Sequence, residues 1–578
     1  MNGAEYIAEF LRQREVGKIF LMTGGACAFI IDAIARNPGT DYVSMHHEQS
    51  AAMAADAVWR TERKVGAAVA TSGPGATNLL TGIACSYFDS IPSIHITGQV
   101  NMAESAGYMG AKVRQVGFQE TDIVAMAKPV TKYAVQVNTV AELKAELTKA
   151  YNIAITGRMG PVLIDVPMNV QKEDAGDVVE YTPPPALQAD AKIIAEAKTK
   201  IEALLAKAER PVVLFGAGVG LAGAEKEVEA WLKKTGLPFV SSWNGMTYFD
   251  HALPNYLGQI GVYGNRGANS ILQNADALIV LGSRLDNRQR SGNSRSFVPK
   301  AKVFVVDVDA EEIKKYKNDG YDGAALDLHF AGELLQGLSV PALPTEWAAH
   351  VNETKTKHYG KNVSTFAEKN NTLSPYEVVR VLNGLIDDDA IVVADTGATV
   401  CWVYQMFARK KHSIFTAGGM SPMGYALPAA IGAATHSKRQ VISINGDGGF
   451  QLNVQELQTA AHNKLPITIF VFNNGGYGII KQFQDSYCES RHEATGRGYS
   501  IPDLGKIAEA YNIGYVKVEK LSDLTKAAIA KDGPVLVDVI LHPNTLIEPK
   551  LEMGRPIHDQ FPYMDRVEYA KLNRFIEE

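Results

Sequence analysis

Residues 446–474, GDGGFQLNVQELQTAAHNKLPITIFVFNN, pair a carboxylate with an amide at the two ends of one pattern. Asp447 follows an apolar strand-like run at 441–444 in a Gly-Asp-Gly-Gly turn and precedes helical spacing over 454–463. The pattern returns to a strand at 467–472 that ends in Asn473-Asn474. Neighbouring parallel strands bring their C-terminal ends to one edge, where open α/β sheets bind ligands. Asp447 and Asn474 therefore converge although 27 residues separate them. A carboxylate oxygen and an amide oxygen are hard ligands suited to Mg²⁺ or Ca²⁺, with phosphate oxygens and water completing the shell. Gly446, Gly448 and Gly449 let the backbone approach a diphosphate at the next helix N-terminus. A helix-capping Asp and a turn Asn would look alike in isolation. Their joint placement at strand ends is what points to a metal–diphosphate site.

A second carboxylate, Glu48, follows a strand-like run at 42–45 and opens an alanine-rich helical stretch at 49–60. Beside Ala51, Ala52 and Met53 its charged form is disfavoured, so it can share a proton with a ring nitrogen. The plainer reading is a glutamate in a first helical turn, stabilised by the helix dipole. FGAGVG at 215–220, with Gly216 and Gly218, follows a strand and is compatible with a nucleotide phosphate turn.

Strands buried on both faces are expected at 18–23, 42–45, 67–71 and 93–97, with helical spacing at 27–36, 49–60 and 76–87 between them. A second set is expected at 211–215, 239–242, 277–281 and 303–308, and a third at 391–394, 441–444, 467–472 and 535–540. Proline-bearing breaks, YTPPPALQAD at 181–190 and VPALPTEWAA from Val340, separate the sets. The expected fold is α/β, with three doubly wound parallel-sheet domains at 1–180, 191–340 and 365–545 and a C-terminal tail at 546–578.

The 578 residues suit three cores better than one. With 46% hydrophobic and 21% charged residues, the chain is not broadly disordered. Its net charge of −6 gives no footprint for nucleic acid or an anionic membrane. Four scattered cysteines without a CxxC pair fit a reducing compartment, and no apolar run reaches the length of a membrane helix. A charged N-terminus without an apolar core adds the expectation of a cytoplasmic protein.

The Asp447–Asn474 arrangement resembles the thiamine diphosphate signature. HHEQSAAMAADA, TSGPGATN, DSIP, TGQV and GFQETD in the first domain extend it, as do GSRLDNR and VDVD in the second and GGMSPMGYALPAAIGAA in the third. In this order they are similar to the large-subunit acetohydroxyacid synthase group, whose pyrimidine-binding, central and diphosphate-binding domains match the three units. The resemblance implies that Glu48 bonds the aminopyrimidine and promotes C2 deprotonation, and that Met423 props the cofactor into a bent shape. Asp447, Asn474 and the Gly476 carbonyl would hold Mg²⁺. Thr396, Gly397, Ala398 and Thr399 would form the other diphosphate loop, with Met420, Tyr477, Gly478 and Ile479 also at the cofactor. Phe118 and Gln119 of GFQE resemble substrate-side residues, Gln119 as an oxyanion donor, and Lys132 is a weaker electrostatic candidate. Arg284 and Asp307 resemble flavin contacts, so FAD is expected in the central domain; an adenine nucleotide or nothing is the alternative.

The implied reaction is decarboxylation of pyruvate or a similar 2-oxo acid with ligation to a carbonyl acceptor. Nonoxidative decarboxylation and flavin-dependent pyruvate oxidation are the alternatives. Active sites shared across a homodimer or homotetramer are implied too. The chain departs from the synthases at Ala398-Thr399, where they have Gln-His, at Phe483, where they have Trp, at SSWNGMTYF from Ser241, and at TGGACAFI from Thr23. The departures at Ala398-Thr399, Phe483 and TGGACAFI favour a different acceptor, such as a ketosugar nucleotide or another ketone, whereas SSWNGMTYF bears on the flavin.

Overall fold

The computed structural model describes residues 1–530 and 532–577. Three six-stranded sheets follow one another along the chain. The first contains β1 (Lys18–Leu21), β2 (Asp41–Ser44), β3 (Gly66–Ala70), β4 (Ser93–Gln99), β5 (Tyr133–Gln136) and β6 (Val162–Pro167). The second contains β7 (Pro211–Phe215), β8 (Phe239–Ser241), β9 (Tyr256–Gln259), β10 (Ala277–Leu281), β11 (Lys302–Asp307) and β12 (Asp322–Ala325). The third contains β13 (Ile391–Ala394), β14 (Ser413–Phe415), β15 (Val441–Gly446), β16 (Ile467–Asn473), β17 (Gly514–Val518) and β18 (Val535–Ile540). All pairings are parallel and helices cover both faces, so β3, β7 and β10 are buried at every position.

Strand order decides where ligands can go. The outer sheets share one order, β2-β1-β3-β4-β6-β5 and β14-β13-β15-β16-β18-β17. The central sheet, β12-β11-β10-β7-β8-β9, has the order of dinucleotide-binding folds. Winding reverses between β1 and β3, β7 and β10, and β13 and β15, opening a crevice at the strands' C-terminal ends.

The domains are locked together by small residues and a buried polar network. The helix Glu48–Glu62 packs on the helix Ala426–His436 so closely that a Cβ at Gly432 would lie 2.2 Å from the Ala54 carbonyl oxygen. Arg60 pairs with Asp56 at 2.7 Å and Asp89 at 2.8 Å. The hydroxyls of Tyr425 and Ser86 donate to Asp56, and the Asn244 amide donates to Asp89 at 3.2 Å and the Thr416 carbonyl at 3.1 Å. Buried charges persist only when hydrogen-bonded in this way, and here the network joins all three domains.

Strands unannounced by the sequence are mostly sheet edges: β5, β9, β12, β14 and β17. β5 and β12 are half-exposed along their length and carry no continuous apolar run. The described part of the C-terminal segment, 546–577, is not a loose tail. Leu551 N donates to the Val262 carbonyl at 2.8 Å, and the Asn269 amide to the Ile557 carbonyl at 2.9 Å, strapping it to the central domain. No helix among the described residues is long and apolar enough to cross a membrane.

Candidate active site

The β13–β15 crevice gathers the residues of the expected diphosphate site. Asp395 directly follows β13 and is fully buried; its carboxylate accepts from the amides of Thr396 at 2.8 Å, Gly424 at 2.9 Å and Tyr425 at 3.3 Å. Burial still pushes this carboxyl up to about 6. Asp395 thereby fixes both the Thr396–Thr399 turn and the loop carrying Met420 and Met423. The Thr396 and Ser421 hydroxyls, 2.6 Å apart, tie those two segments directly.

Three helices begin at this point: Ala398–Met406, Asp447–Leu452 and Gly478–Tyr487. A Cβ at Gly446 would lie 3.1 Å from Thr399 Oγ1, and one at Gly478 3.6 Å from the Ala398 Cβ. The positive ends of three helix dipoles at one point favour a polyanion there. The glycines have a steric reason too. A side chain on Gly448 would strike the Tyr477 ring at 2.2 Å, and one on Gly449 the Asp395 carboxylate at 2.1 Å.

Asp447 is 1% exposed, and its carboxylate accepts from Gly476 N at 3.1 Å and the Tyr499 hydroxyl at 3.0 Å. Burial pushes this carboxyl up, against the pull of those donors. The terminal amide atom of Asn474 that faces Asp447 lies 2.8 Å from the Gly476 carbonyl oxygen and 3.3 Å from Asp447 Oδ2. Placed as oxygen, it completes a carboxylate–amide–carbonyl set that a small hard cation fits; placed as nitrogen, it donates to both neighbours. Among the described residues no group of three or more His, Cys, Asp or Glu could hold a metal, so this mixed set is what a cation would use.

In the first domain Glu48 is 6% exposed at the start of its helix, and Asn78 Nδ2 donates to its Oε2 at 3.0 Å. A Cβ on Gly75 would lie 3.1 Å from Glu48 Oε1, and one on Gly73 2.9 Å from the Gln119 Cβ. Glu48 and Gln119 thus abut one turn, TSGPGATN. Phe118 beside them is 85% exposed. No hydrogen bond or ion pair among the described residues joins Glu48, Phe118 or Gln119 to the Asp447 cluster. A relay does reach the loop after Met423: the Ser50 hydroxyl donates to Asn453 at 3.1 Å, and the Asn453 amide to the Gly424 carbonyl at 2.7 Å.

The β7–β10 crevice opens into a cavity of about 680 Å³ lined by Gly216, Gly218, Arg284 and Asp307, together with Trp243, Arg288 and Met420. Gly216 and Gly218 are needed for packing in any case, since side chains there would meet Gly282 at 2.2 and 2.7 Å. Arg284 pairs with Asp286 at 3.1 Å. Burial pushes the Asp307 carboxyl up to about 6. The Lys132 ammonium donates to the carbonyls of Ile153 and, at 2.7 Å, Thr156, clamping a helix end beside the cavity that Thr156 lines.

Tyr499 and Asp395 carry parts of the site that the sequence left unmarked. Asp395 had a signal, an acid directly after a buried strand in ADTG; Tyr499, in a later loop, had none.

Comparison with known proteins agrees with this geometry. The family models for the thiamine pyrophosphate enzyme N-terminal TPP binding domain, central domain and C-terminal TPP binding domain match residues 1–126, 199–323 and 395–539. The chain is 32% identical over 545 residues to the acetolactate synthase isozyme 2 large subunit of Escherichia coli K12, covering 93% of this chain and 95% of that protein. It is 33% identical over 563 residues to the acetolactate synthase large subunit of Lactococcus lactis, covering 96% and 95%. It is also 32% identical over 568 residues to the probable acetolactate synthase large subunit of Methanocaldococcus jannaschii, covering 94% and 92%. A polyanion site at three helix N-termini, a hard-cation donor set and near full-length similarity agree: the chain belongs to the thiamine pyrophosphate enzymes, in the family of the acetolactate synthase large subunits.

Proposed function

We propose that this enzyme decarboxylates pyruvate, or a similar 2-oxo acid, and ligates the two-carbon unit to a second carbonyl compound. The observation that carries the reading is the meeting of three helix N-termini beside the Asp447–Asn474–Gly476 oxygens. These three residues would hold Mg²⁺. The amides of Gly397, Ala398, Thr399, Gly448 and Gly449, with Tyr477, Gly478 and Ile479, would receive the diphosphate. Bound thiamine diphosphate supplies an acidic carbon and an electron sink for loss of carbon dioxide. Glu48 would hold a proton at the pyrimidine ring, and Met423 would brace the cofactor from the side. Gln119 would donate to the developing oxyanion, with Phe118 walling the substrate.

Ligation is preferred over simple decarboxylation because the named relatives are acetolactate synthases. Phe483, without an indole N–H, and Ala398-Thr399 support an acceptor other than that of the synthases, a ketosugar nucleotide or another ketone. Products formed from pyruvate with a panel of aldehydes, oxo acids and ketosugar nucleotides, read by mass spectrometry, test this. A ligated ketone is expected. Acetaldehyde alone, or acetate with oxygen consumed, would replace the reading with a decarboxylase or an oxidase.

FAD is assigned to the central cavity, whose volume suits a cofactor and whose sheet has the dinucleotide strand order. Asp307 and Arg284 would contact it, beside the Gly216–Gly218 turn. The protein is expected to release FAD on denaturation, seen by its visible absorbance. An adenine nucleotide lacking the flavin ring would overturn the assignment.

A homodimer or homotetramer with shared sites is supported by apolar side chains left in solvent. Tyr108, Met109, Val113 and Phe118 stand out on the first domain, and Met420, Leu452, Ile480 and Phe483 on the third. The four unpaired cysteines suit a reducing cytoplasm.

A further inference from the structure

The loop between β4 and the helix Ile123–Ala127 carries Phe118 and Gln119; its base packs on the core through Val100 and Met102, but its tip has no such hold. Tyr108, Met109, Val113 and Phe118 all project into solvent, so apolar packing within the chain cannot fix its shape. Two polar side chains do so instead. Glu120 turns back into the loop, where Oε1 accepts from Ala106 N at 2.8 Å and Oε2 from Val116 N at 2.9 Å and Gly117 N at 3.2 Å. Gln99, the last residue of β4, closes the loop's base. Its Nε2 donates both to the Thr121 carbonyl at 3.0 Å and to Asp165 Oδ2 at 2.9 Å. Asp165 is oriented in turn by the Thr97 hydroxyl, 2.6 Å from Oδ1, and all three of these side chains are buried.

The residue held between these clasps is Gln119. Its φ of 65° is left-handed, a conformation a glutamine adopts only when its surroundings impose it. Thr121 O is two residues along the chain from Gln119, and Glu120 is its direct neighbour. On its other side, Gln119 presses against Gly73, where any side chain would meet its Cβ at 2.9 Å and its carbonyl oxygen at 3.0 Å. Gly73 belongs to the turn that Glu48 touches. A carboxylate is the suitable clasp because it accepts at both oxygens and offers no donor to the inward-pointing N–H groups.

We infer that Glu120, with Gln99, is a positioning residue for acyl transfer: it sets Gln119 and Phe118 in the conformation that meets the acceptor. This rests on the carboligase reading of the site. Neither residue touches the reacting atoms; both act through Gln119.

Glu120→Gln keeps size and polarity but replaces one acceptor oxygen by an NH₂ that faces amide donors. In the holoenzyme, amide hydrogen exchange across residues 100–121 is expected to quicken, while thiamine diphosphate affinity stays that of the wild type. The ratio of ligated product to free aldehyde from pyruvate, at fixed acceptor, is expected to fall ~10–100-fold, the cost of misplacing one reacting partner. Gln99→Met, which loses both donors at the base, should reproduce both effects; it carries the test if Glu120→Gln does not fold. Glu104→Gln is the control. That side chain lies in the same loop but, among the described residues, accepts only from the Asn101 amide at the surface, so it should move neither readout. Unchanged exchange in Glu120→Gln would refute the clasp. Quickened exchange with an unchanged product ratio would refute the positioning role. If the wild type forms no ligated product at all, the carboligase reading fails, and the positioning role for acyl transfer falls with it, while the exchange result still decides whether the clasp exists.

Discussion

Replacing Asp447 with alanine is expected to abolish thiamine diphosphate binding while leaving the unliganded protein as stable as the wild type or slightly more so. The sign follows from the surroundings of the carboxylate. Asp447 is buried, and desolvation pushes its carboxyl up, so without a cation its charge is a cost that the Tyr499 hydroxyl and the Gly448, Gly475 and Gly476 amides only partly offset. Alanine removes that cost and leaves a short, cavity-scale gap beside Gly476 and Tyr499. With Mg²⁺ and diphosphate the balance reverses. The carboxylate then supplies the charged member of the donor set, which Asn474 and the Gly476 carbonyl, being neutral, do not replace. Thermal unfolding with and without Mg²⁺ and thiamine diphosphate reads both halves. At a ligand concentration of 100 times Kd the wild type should gain about 2.7 kcal/mol, and the variant nothing. Wild-type stabilisation of the variant by the cofactor would exclude Asp447 as the metal ligand.

The same residues mark how far a sequence can be read. Interior strands such as β7, β10 and β13 are unbroken apolar runs because both faces are covered, and the pattern gives their ends to the residue. Edge strands lack that pressure. β12, DGAA, is recognisable only from the neighbour it pairs with, whereas β6, VLIDVP, is an interior strand that went unannounced although β18, VLVDVI, with its buried Asp538, did not. Asp447 and Asn474 were legible because parallel neighbours necessarily share an edge. Tyr499 was not, since nothing local to a loop residue says that its hydroxyl will reach a carboxylate 52 residues earlier. Lys132, expected as an electrostatic aid, is half-buried and gives its ammonium to two backbone carbonyls, contacts that no local pattern announces.

Glu48→Gln is expected to fold, assemble and bind cofactor, yet to exchange the C2 proton of bound thiamine diphosphate ~10²–10⁴-fold more slowly, the usual worth of a positioned acid–base group. The amide fits the same buried place, because the Asn78 amide donates to an oxygen that glutamine retains. What it lacks is the ability to take and return a proton. Hydrogen exchange followed by NMR after acid quench measures this without any turnover, and a wild-type rate would remove Glu48 from the proton path. The variant also tests where the site lies. Within one chain Glu48 abuts the TSGPGATN turn, and no hydrogen bond or ion pair among the described residues ties it to the Asp447 cluster. If the cofactor spans Glu48 of one subunit and Asp447 of another, a mixed dimer of Glu48→Gln and Asp447→Ala chains has one site with both lesions and one with neither. Equal mixing makes about half of the dimers mixed, so about a quarter of wild-type turnover should return from two inactive parents. Verified mixed dimers with no recovered turnover would require Glu48 and Asp447 of the same chain to close on one cofactor. The outward-facing Phe118 loop would then need another occupant.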